Sequence, residues 1–465
     1  MINFFKKAWN SPTWSTLLRQ ITIPLKFLLL TPLVLTRFSA LELDVFFLIA
    51  STTILFTIFQ NRLTSVFARM LCFAFGGATE LGKWTTDKSP SLGQPNWKLF
   101  KEAYLALGTL LFICFVPALL LSVGLMWLSV ATLLDFSYQD KVLWAGALLG
   151  AASPAVSFLL MRPNLALRAT GKIPLQNRIS TLVSIASIVT GALVVILGGR
   201  LISILCVQLF FTTLERYIMI WYLPSEIRPY ATKGKWSKRV FNWAREPLWK
   251  GLVAVLAGMG THRSVGVFLA STGTVGYAAP FLFVQSLLTT CQGIASAPLT
   301  SQLPRYSKML EEGKREAIAG DSLFRITFTT LFMITATLGI SFVIPVMLPL
   351  LKANMKALPV LDSLALGGLR CIYWPLICFN LVQGVSNDVK VVWRLVVAIP
   401  FSILLFFIGL NTQQYLWFAL GMYLPLIMVL NWYTWNNYLE FLGKTSSELL
   451  ISLKLSFRRR LSSIF

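Results

Sequence analysis

Long apolar stretches alternate with short polar segments along the whole chain. Twelve of these stretches come close to or exceed the roughly 20 residues that a helix needs to cross the hydrocarbon core of a bilayer. They lie at 20–38, 45–66, 103–131, 141–161, 177–198, 200–222, 250–270, 275–300, 324–351, 363–385, 390–410 and 415–440. The pattern predicts an all-α polytopic membrane protein with about twelve transmembrane helices. No convincing cleavage site follows the first stretch, so we interpret it as a retained anchor helix.

The longest polar break divides the chain near its middle, at 225–247. Landmarks on its two sides correspond, because Ser39 and Gly82 match Ser271 and Gly313 at nearly the same separation. Parallel repeats of this kind are typical of transporters whose halves are related by an axis along the membrane normal. We therefore expect two six-helix bundles around a central cavity. Their predicted bounds are an N-terminal bundle at 1–224, a cytoplasmic linker at 225–247, a C-terminal bundle at 248–443 and a basic amphipathic tail at 444–465.

Composition and charge strengthen the membrane interpretation. The 465 residues are 56% hydrophobic and 13% charged, with a mean hydropathy of +0.70, whereas soluble domains carry about 25% charged residues. Lys and Arg number 41 against 18 Asp and Glu, which gives a net charge of +23. Because the basic residues collect in alternate loops, the positive-inside rule places both termini in the cytoplasm. The excess predicts contact with anionic lipids, which we expect the basic tail to make. We predict no nucleic-acid partner.

Residues that build metal or catalytic centres are scarce. One His and six Cys without a Cys-x-x-Cys pair predict no metal site and no cofactor. Residues 77–83 have the spacing of a phosphate-binding loop, but Trp84 follows where a hydroxyl should bind Mg²⁺. No cytoplasmic loop approaches the length of a nucleotide-binding domain. We predict that the chain is not an enzyme.

Two segments carry a resemblance to known families. Residues 67–78 (FARMLCFAFGGA) are similar to the arginine, aromatic and paired-glycine stretch that follows the second helix in bacterial polysaccharide-unit flippases. Residues 297–305 (APLTSQLPR), followed by EEGK at 311–314, resemble the end of the eighth helix in the multidrug, oligosaccharidyl-lipid and polysaccharide exporter superfamily. The arginine-rich signature of peptidoglycan-precursor flippases is not seen in the first and second predicted helices.

The resemblance implies an O-antigen type flippase of lipopolysaccharide biosynthesis. Such a transporter moves an undecaprenyl-pyrophosphate-linked oligosaccharide repeat unit from the cytoplasmic to the periplasmic leaflet by alternating access. It lies in the bacterial inner membrane, where other polysaccharide-assembly membrane proteins are possible partners. We expect a monomer, because one chain already contains both halves.

Ionisable residues inside the apolar stretches are the candidate site residues, because a charge at the bilayer centre costs about 2.5 to 3.5 kcal/mol. Lys26, Arg263 and Arg370 lie in the first, seventh and tenth stretches, with His262 beside Arg263. Glu215 is the one carboxylate at comparable depth. An excess of cations suits a diphosphate, which Arg can hold bidentately and Lys as a point charge. We predict that the three cations and His262 bind the substrate.

Simpler explanations of these four residues stay open. Lys26 and Arg370 can extend toward an interface from a lipid-facing position. Arg263 can meet periplasmic water if its helix ends earlier than we place it. His262 can be a packed core residue rather than a proton relay.

Three further charged residues also have two interpretations each. Glu215 either pairs with a neighbouring base or couples transport to protons or Na⁺. Arg62 and Arg394 lie at cytoplasmic helix ends, where topology alone explains them. Both are also candidates for an inner gate that receives the diphosphate.

Two other functions compete with flipping. A cation-coupled multidrug exporter of the same superfamily should place acidic residues in the cavity, where this sequence offers basic ones. A membrane glycan polymerase or ligase needs a sizeable outer loop with catalytic groups, and the predicted outer loops are short.

Overall fold

The computed structural model describes residues 12–52, 54–77, 94–133, 141–300, 302, 303, 306, 309, 315–383, 392–443 and 445–448. These residues contain no strand, and the all-α prediction is confirmed. Their α-helices, which we number α1 to α14 in chain order, are Pro12–Arg37, Ala40–Thr52, Ile54–Phe75, Trp97–Leu133, Lys141–Leu159, Arg162–Ala169, Ile173–Ile196, Leu201–Trp221, Lys238–Ala270, Ala278–Thr300, Arg315–Leu350, Val360–Gln383, Val392–Thr412 and Tyr415–Leu442.

Every predicted apolar stretch overlaps a described helix, and the second overlaps both α2 and α3. In the part of the chain that the structure describes, seven helical spans are long and apolar enough to cross a membrane. An eighth is obtained if the two parts of α14, which are bent by 43° to each other, count as one. The polytopic membrane fold is therefore confirmed.

Helix α9 begins well before the apolar stretch that predicted it. It starts at Lys238, inside the predicted linker, rather than at 250. Val240 and Ala244 lie one helical turn apart and are buried in the core of the first unit, where Phe241 and Leu248 pack against them. A search for long apolar stretches misses such an extension, because its apolar residues occupy only one face.

The described helices form two compact units. The first comprises Met1–Leu256 together with Leu269–Ala279 and Ala353–Met355. Within it, α1 packs on α7, α3 on α4, and α5 on α8. Its core contains a group of large buried aromatic side chains, namely Phe56, Phe67, Phe100, Tyr104 and Phe158.

Two short segments from late in the sequence are held within the first unit by polar contacts. The Asp44 carboxylate accepts hydrogen bonds from the backbone N–H groups of Gly276 (2.5 Å) and Ala279 (2.7 Å), at the start of α10. The Asn354 side chain donates to the carbonyl oxygens of Thr36 (3.1 Å) and Phe38 (2.9 Å). These contacts explain why residues so distant in sequence join the first unit.

The second unit comprises Ala257–Phe268, Pro280–Lys352 and Lys356–Phe465. Helix α14 packs on α12 and α13, and α11 packs on α12. Its core is centred on Trp374, Tyr306 and Tyr438, each almost fully buried. The Trp374 indole N–H donates to the Thr329 hydroxyl oxygen (3.2 Å), so this large side chain is also satisfied as a donor.

Candidate functional site

Of the predicted site residues, the structure describes the side chains of Arg370 and Glu215. The backbones of the other five lie in described helices, but their side chains lie outside the described part of the chain. These five are Lys26 on α1, Arg62 on α3, His262 and Arg263 on α9, and Arg394 on α13. Their roles stay predictions.

Arg370 lies in the middle of α12 and is 7% exposed. Its Nε donates to Gln292 Oε1 (3.0 Å), and a terminal nitrogen donates to the same oxygen. Further hydrogen bonds run to the Thr289 hydroxyl (3.0 Å) and to the Gln285 carbonyl oxygen (3.3 Å). The guanidinium is therefore directed onto α10.

The three acceptors share one face of α10, because Gln285, Thr289 and Gln292 are spaced by four and three residues. All of them are neutral groups. Among the described residues, no carboxylate forms an ion pair with Arg370. The second unit thus contains a buried guanidinium whose donors are largely used but whose positive charge is not compensated.

Helix α12 can approach α11 closely just before Arg370. A Cβ atom at Gly367 would overlap the Thr337 side chain, whereas one at the next residue, Gly368, would meet open space. Thr337 is itself buried and lies 3.4 Å from the Cys371 sulfur. The small residue at 367 fixes the distance between these helices one turn before the arginine.

Glu215 is mostly buried on α8, and its carboxylate has partners. Its Oε1 accepts a hydrogen bond from the Ser180 hydroxyl (2.6 Å). It also lies 3.9 Å from a terminal nitrogen of Arg216, and its side chain is 16% exposed. Glu215 thus lies beside a neighbouring base, as one of its two interpretations expects. Its role in coupling transport to protons or Na⁺ stays a prediction.

Arg216 is almost fully buried beside this carboxylate. A terminal nitrogen donates to the Ser157 hydroxyl oxygen (2.8 Å), and the other approaches the Met219 sulfur (3.8 Å). Its Nε–H is buried and has no hydrogen-bond partner among the described residues. The first unit therefore buries an arginine that still has an unused donor.

Two more arginines lie close to Arg216, and sequence reasoning missed both. Arg168 ends the short helix α6, and its Nε donates to Gln176 Oε1 (2.9 Å). The Ser180 hydroxyl, one turn further along α7, donates to Glu215 beside Arg216. Arg19 on α1 lies one turn after Ser15, whose hydroxyl accepts from Asn177 of α7. We call Arg19, Arg168 and Arg216 the arginine cluster. The available signal was the polar start of α7, where Gln176, Asn177, Ser180 and Thr181 open an otherwise apolar helix.

Comparison with known proteins identifies the fold. No protein-family model matches the chain, and no curated protein matches it by sequence. An inward-facing multidrug resistance MATE family transporter of the MOP superfamily is similar in structure, with a TM-score of 0.61 and 13% identity over 92% of this chain and 99% of that one. The lipid II flippase MurJ, in an inward closed conformation, has a TM-score of 0.61 and 16% identity over 96% of this chain and 92% of its own.

A third similar structure is a MOP superfamily transporter from Pyrococcus furiosus, described as having a binding pocket of reverse polarity that suggests a different function. Its TM-score is 0.52 and its identity 12%, over 94% of this chain and 98% of that one. This chain therefore has the fold of MOP superfamily transporters. The fold alone does not choose among substrates, because a multidrug transporter and a lipid flippase match it equally well.

Proposed function

We propose that this chain is a transporter that moves an undecaprenyl-pyrophosphate-linked oligosaccharide repeat unit from the cytoplasmic to the periplasmic leaflet by alternating access. The observation that carries the proposal is Arg370, a guanidinium buried in the second unit whose described acceptors are all neutral. A cation in such a place is costly unless an opposite charge visits it. A diphosphate supplies that negative charge and offers acceptor oxygens to guanidinium N–H groups.

The surroundings of Glu215 argue against a drug exporter. A cation-coupled exporter needs a carboxylate available to a cation or a basic drug. Glu215 is instead engaged by the Ser180 hydroxyl and lies near Arg216. A polymerase or ligase is disfavoured because the similar structures are transporters. The proposal includes a monomer in the bacterial inner membrane with cytoplasmic termini.

A reconstituted flipping assay tests the proposal. The protein is placed in liposomes with a fluorescent undecaprenyl-pyrophosphate-linked oligosaccharide, and a membrane-impermeant quencher reports the leaflet. Arg370→Gln should slow flipping by about 10- to 100-fold, because it removes the buried positive charge that attracts the diphosphate, and each loss of about 1.4 kcal/mol is a tenfold change. Arg370→Lys, which keeps the charge but loses the planar fork, should fall between that variant and the wild type.

The matched control is Arg315→Gln, which removes an exposed arginine of the same unit. It should flip at the wild-type rate. Wild-type flipping by Arg370→Gln at equal reconstitution would contradict the assignment of Arg370. Accumulation of the cationic dye ethidium under a proton gradient, without flipping of the lipid, would establish the exporter instead.

A further inference from the structure

The arginine cluster brings together three positive charges from three helices of the first unit. Arg19 lies on α1, Arg168 at the end of α6 and Arg216 on α8. Arg168 bonds to Gln176 of α7, and Arg216 lies beside Glu215, which accepts from Ser180 of α7. Among the described side chains, Glu215 alone forms an ion pair with a member of the cluster, at 3.9 Å. The cluster and its carboxylate therefore hold an excess of positive charge.

Buried amide and hydroxyl side chains at the start of α7 adjoin the arginine cluster. Gln176, Asn177 and Ser180 are buried in the first two turns of α7. The Asn177 side chain donates to the Ser15 hydroxyl oxygen (3.3 Å), and this contact joins α7 to α1. Arg19 lies one helical turn after Ser15 and hence on the same face of α1. The amide-rich start of α7 and the arginines thus belong to one site.

Two buried donors of this site have no partner in the part of the chain that the structure describes. They are the Arg216 Nε–H, on a residue that is 6% exposed, and the Gln176 amide nitrogen, on a residue with no exposed surface. The oxygen of the same Gln176 amide already accepts from Arg168, so its nitrogen lies beside the cluster. Proteins rarely leave buried donors unpaired, because such groups lose their bonds to water without replacement. A negatively charged acceptor would bond to such donors and would also offset the positive charge of the cluster.

We propose that the arginine cluster binds a phosphate-bearing group, either the diphosphate of a polyprenyl lipid or the headgroup of an anionic phospholipid. A phosphate oxyanion offers several acceptor oxygens in the arrangement that guanidinium groups take bidentately. The start of α7 adds the positive end of a helix dipole. The site does not depend on the proposed function, because membrane phospholipid is present whatever the cargo.

Binding to the purified full-length chain in a neutral detergent tests the site. Inorganic pyrophosphate is titrated at low ionic strength, and the thermal unfolding midpoint and native mass spectra are recorded. We expect a saturable rise of the midpoint and a bound adduct. Arg216→Gln should weaken the affinity by about tenfold or more, because it removes a charged donor. Arg239→Gln, which removes an exposed arginine on α9, is the matched control and should bind as the wild type does.

A second variant covers the case in which Arg216→Gln does not fold. Gln176→Glu keeps the side-chain shape and places a carboxylate on Arg168, so it supplies the missing charge from within the chain. We expect it to fold without ligand and to show no pyrophosphate-dependent rise. If the wild type binds no pyrophosphate, polyprenyl diphosphate or phospholipid, or if Gln176→Glu binds pyrophosphate as well as the wild type, the proposal is overturned.

Competition identifies the source of the phosphate group. Undecaprenyl diphosphate and phosphatidylglycerol are each added in detergent micelles against bound pyrophosphate. Displacement by undecaprenyl diphosphate alone assigns the site to a polyprenyl diphosphate, and displacement by phosphatidylglycerol assigns it to a membrane phospholipid. The Arg370 flipping assay is independent of these measurements, so failure of this site and failure of the proposed function are separable.

Discussion

Arg370 in the second unit and the arginine cluster in the first unit bury guanidinium groups in different ways. Arg370 makes four hydrogen bonds to neutral acceptors on α10, with no described carboxylate beside it. The cluster has one carboxylate, Glu215, yet leaves the Nε–H of Arg216 unpaired. Arg370 therefore offers positive charge but few free N–H donors, whereas the cluster offers positive charge and free N–H donors. The first arrangement suits transient attraction of an anion, and the second suits direct binding.

Asp44 shows how the first unit buries an acid. Its carboxylate is satisfied by backbone N–H groups at the start of α10, and the residue has no exposed surface. Like Arg370, it is surrounded by neutral partners whose hydrogen bonds do not cancel its charge. The energetic cost of this arrangement can be measured for Asp44, because an aspartate titrates in an accessible pH range.

The largest expected effect is therefore the pH dependence caused by Asp44, which precedes the predicted span at 45–66. Burial raises the pKa of Asp44 from 3.8 to about 6, against the opposing effect of its backbone hydrogen bonds. An acid whose folded-state pKa is raised contributes stability that is present below pH 4 and is lost as the pH rises through 6. A shift of this size corresponds to roughly 3 kcal/mol.

Asp44→Asn removes this titration. Thermal unfolding midpoints of both proteins in detergent between pH 4 and 7 measure the effect. We expect the wild type to lose stability relative to the variant across that window. Glu226→Gln, at an exposed position, is the control and should follow the wild type. Parallel profiles of Asp44→Asn and the wild type would show that the buried carboxylate is not a cost.

The next prediction asks whether charge or free donors matter at Arg370. Gln292→Glu keeps the acceptor geometry and pairs the guanidinium with a carboxylate, which cancels the charge. If Arg370 acts by attracting an anion, flipping should fall by roughly 10- to 100-fold while the fold stays intact. Gln302→Glu lies outside this contact and is the control. A Gln292→Glu protein that flips at the wild-type rate would show that the charge of Arg370 is not used.

Much of the fold could be predicted from the sequence, since apolar stretches near 20 residues suit a bilayer-spanning helix. Arg370 was also a candidate on depth alone. Its partners were not predictable, because Gln292 lies 78 residues away and only helix packing brings it near. Arg168 was missed for another reason. It lies in a polar segment between apolar stretches, where the positive-inside rule already accounts for a basic residue. The sequence therefore did not indicate that it belongs to a cluster.

A smaller effect is expected from the packing that positions Arg370. Gly367→Ala should destabilise the protein by about 1 to 3 kcal/mol, because the added methyl group overlaps Thr337 in a close-packed contact. Gly368→Ala is the matched control, since its methyl group meets open space. It should be neutral or stabilising by about 0.5 to 1 kcal/mol, as expected for Gly to Ala within a helix. Unfolding midpoints measure both, and equal behaviour of the two variants would mean that α11 and α12 are not held this closely.

The smallest expected effect concerns the one carboxylate of the arginine cluster. Glu215→Gln keeps a hydrogen bond to Ser180 and removes a largely buried but long ion pair at 3.9 Å. Because the neutral amide also avoids the cost of burying a carboxylate, the net loss of stability should be about 1 kcal/mol. The larger positive excess should raise the affinity for pyrophosphate. Because this carboxylate is engaged within the fold, flipping should respond to proton and Na⁺ gradients as in the wild type. Loss of that response in Glu215→Gln, but not in Glu226→Gln, would instead assign ion coupling to Glu215 and set the two units apart by function as well as by charge.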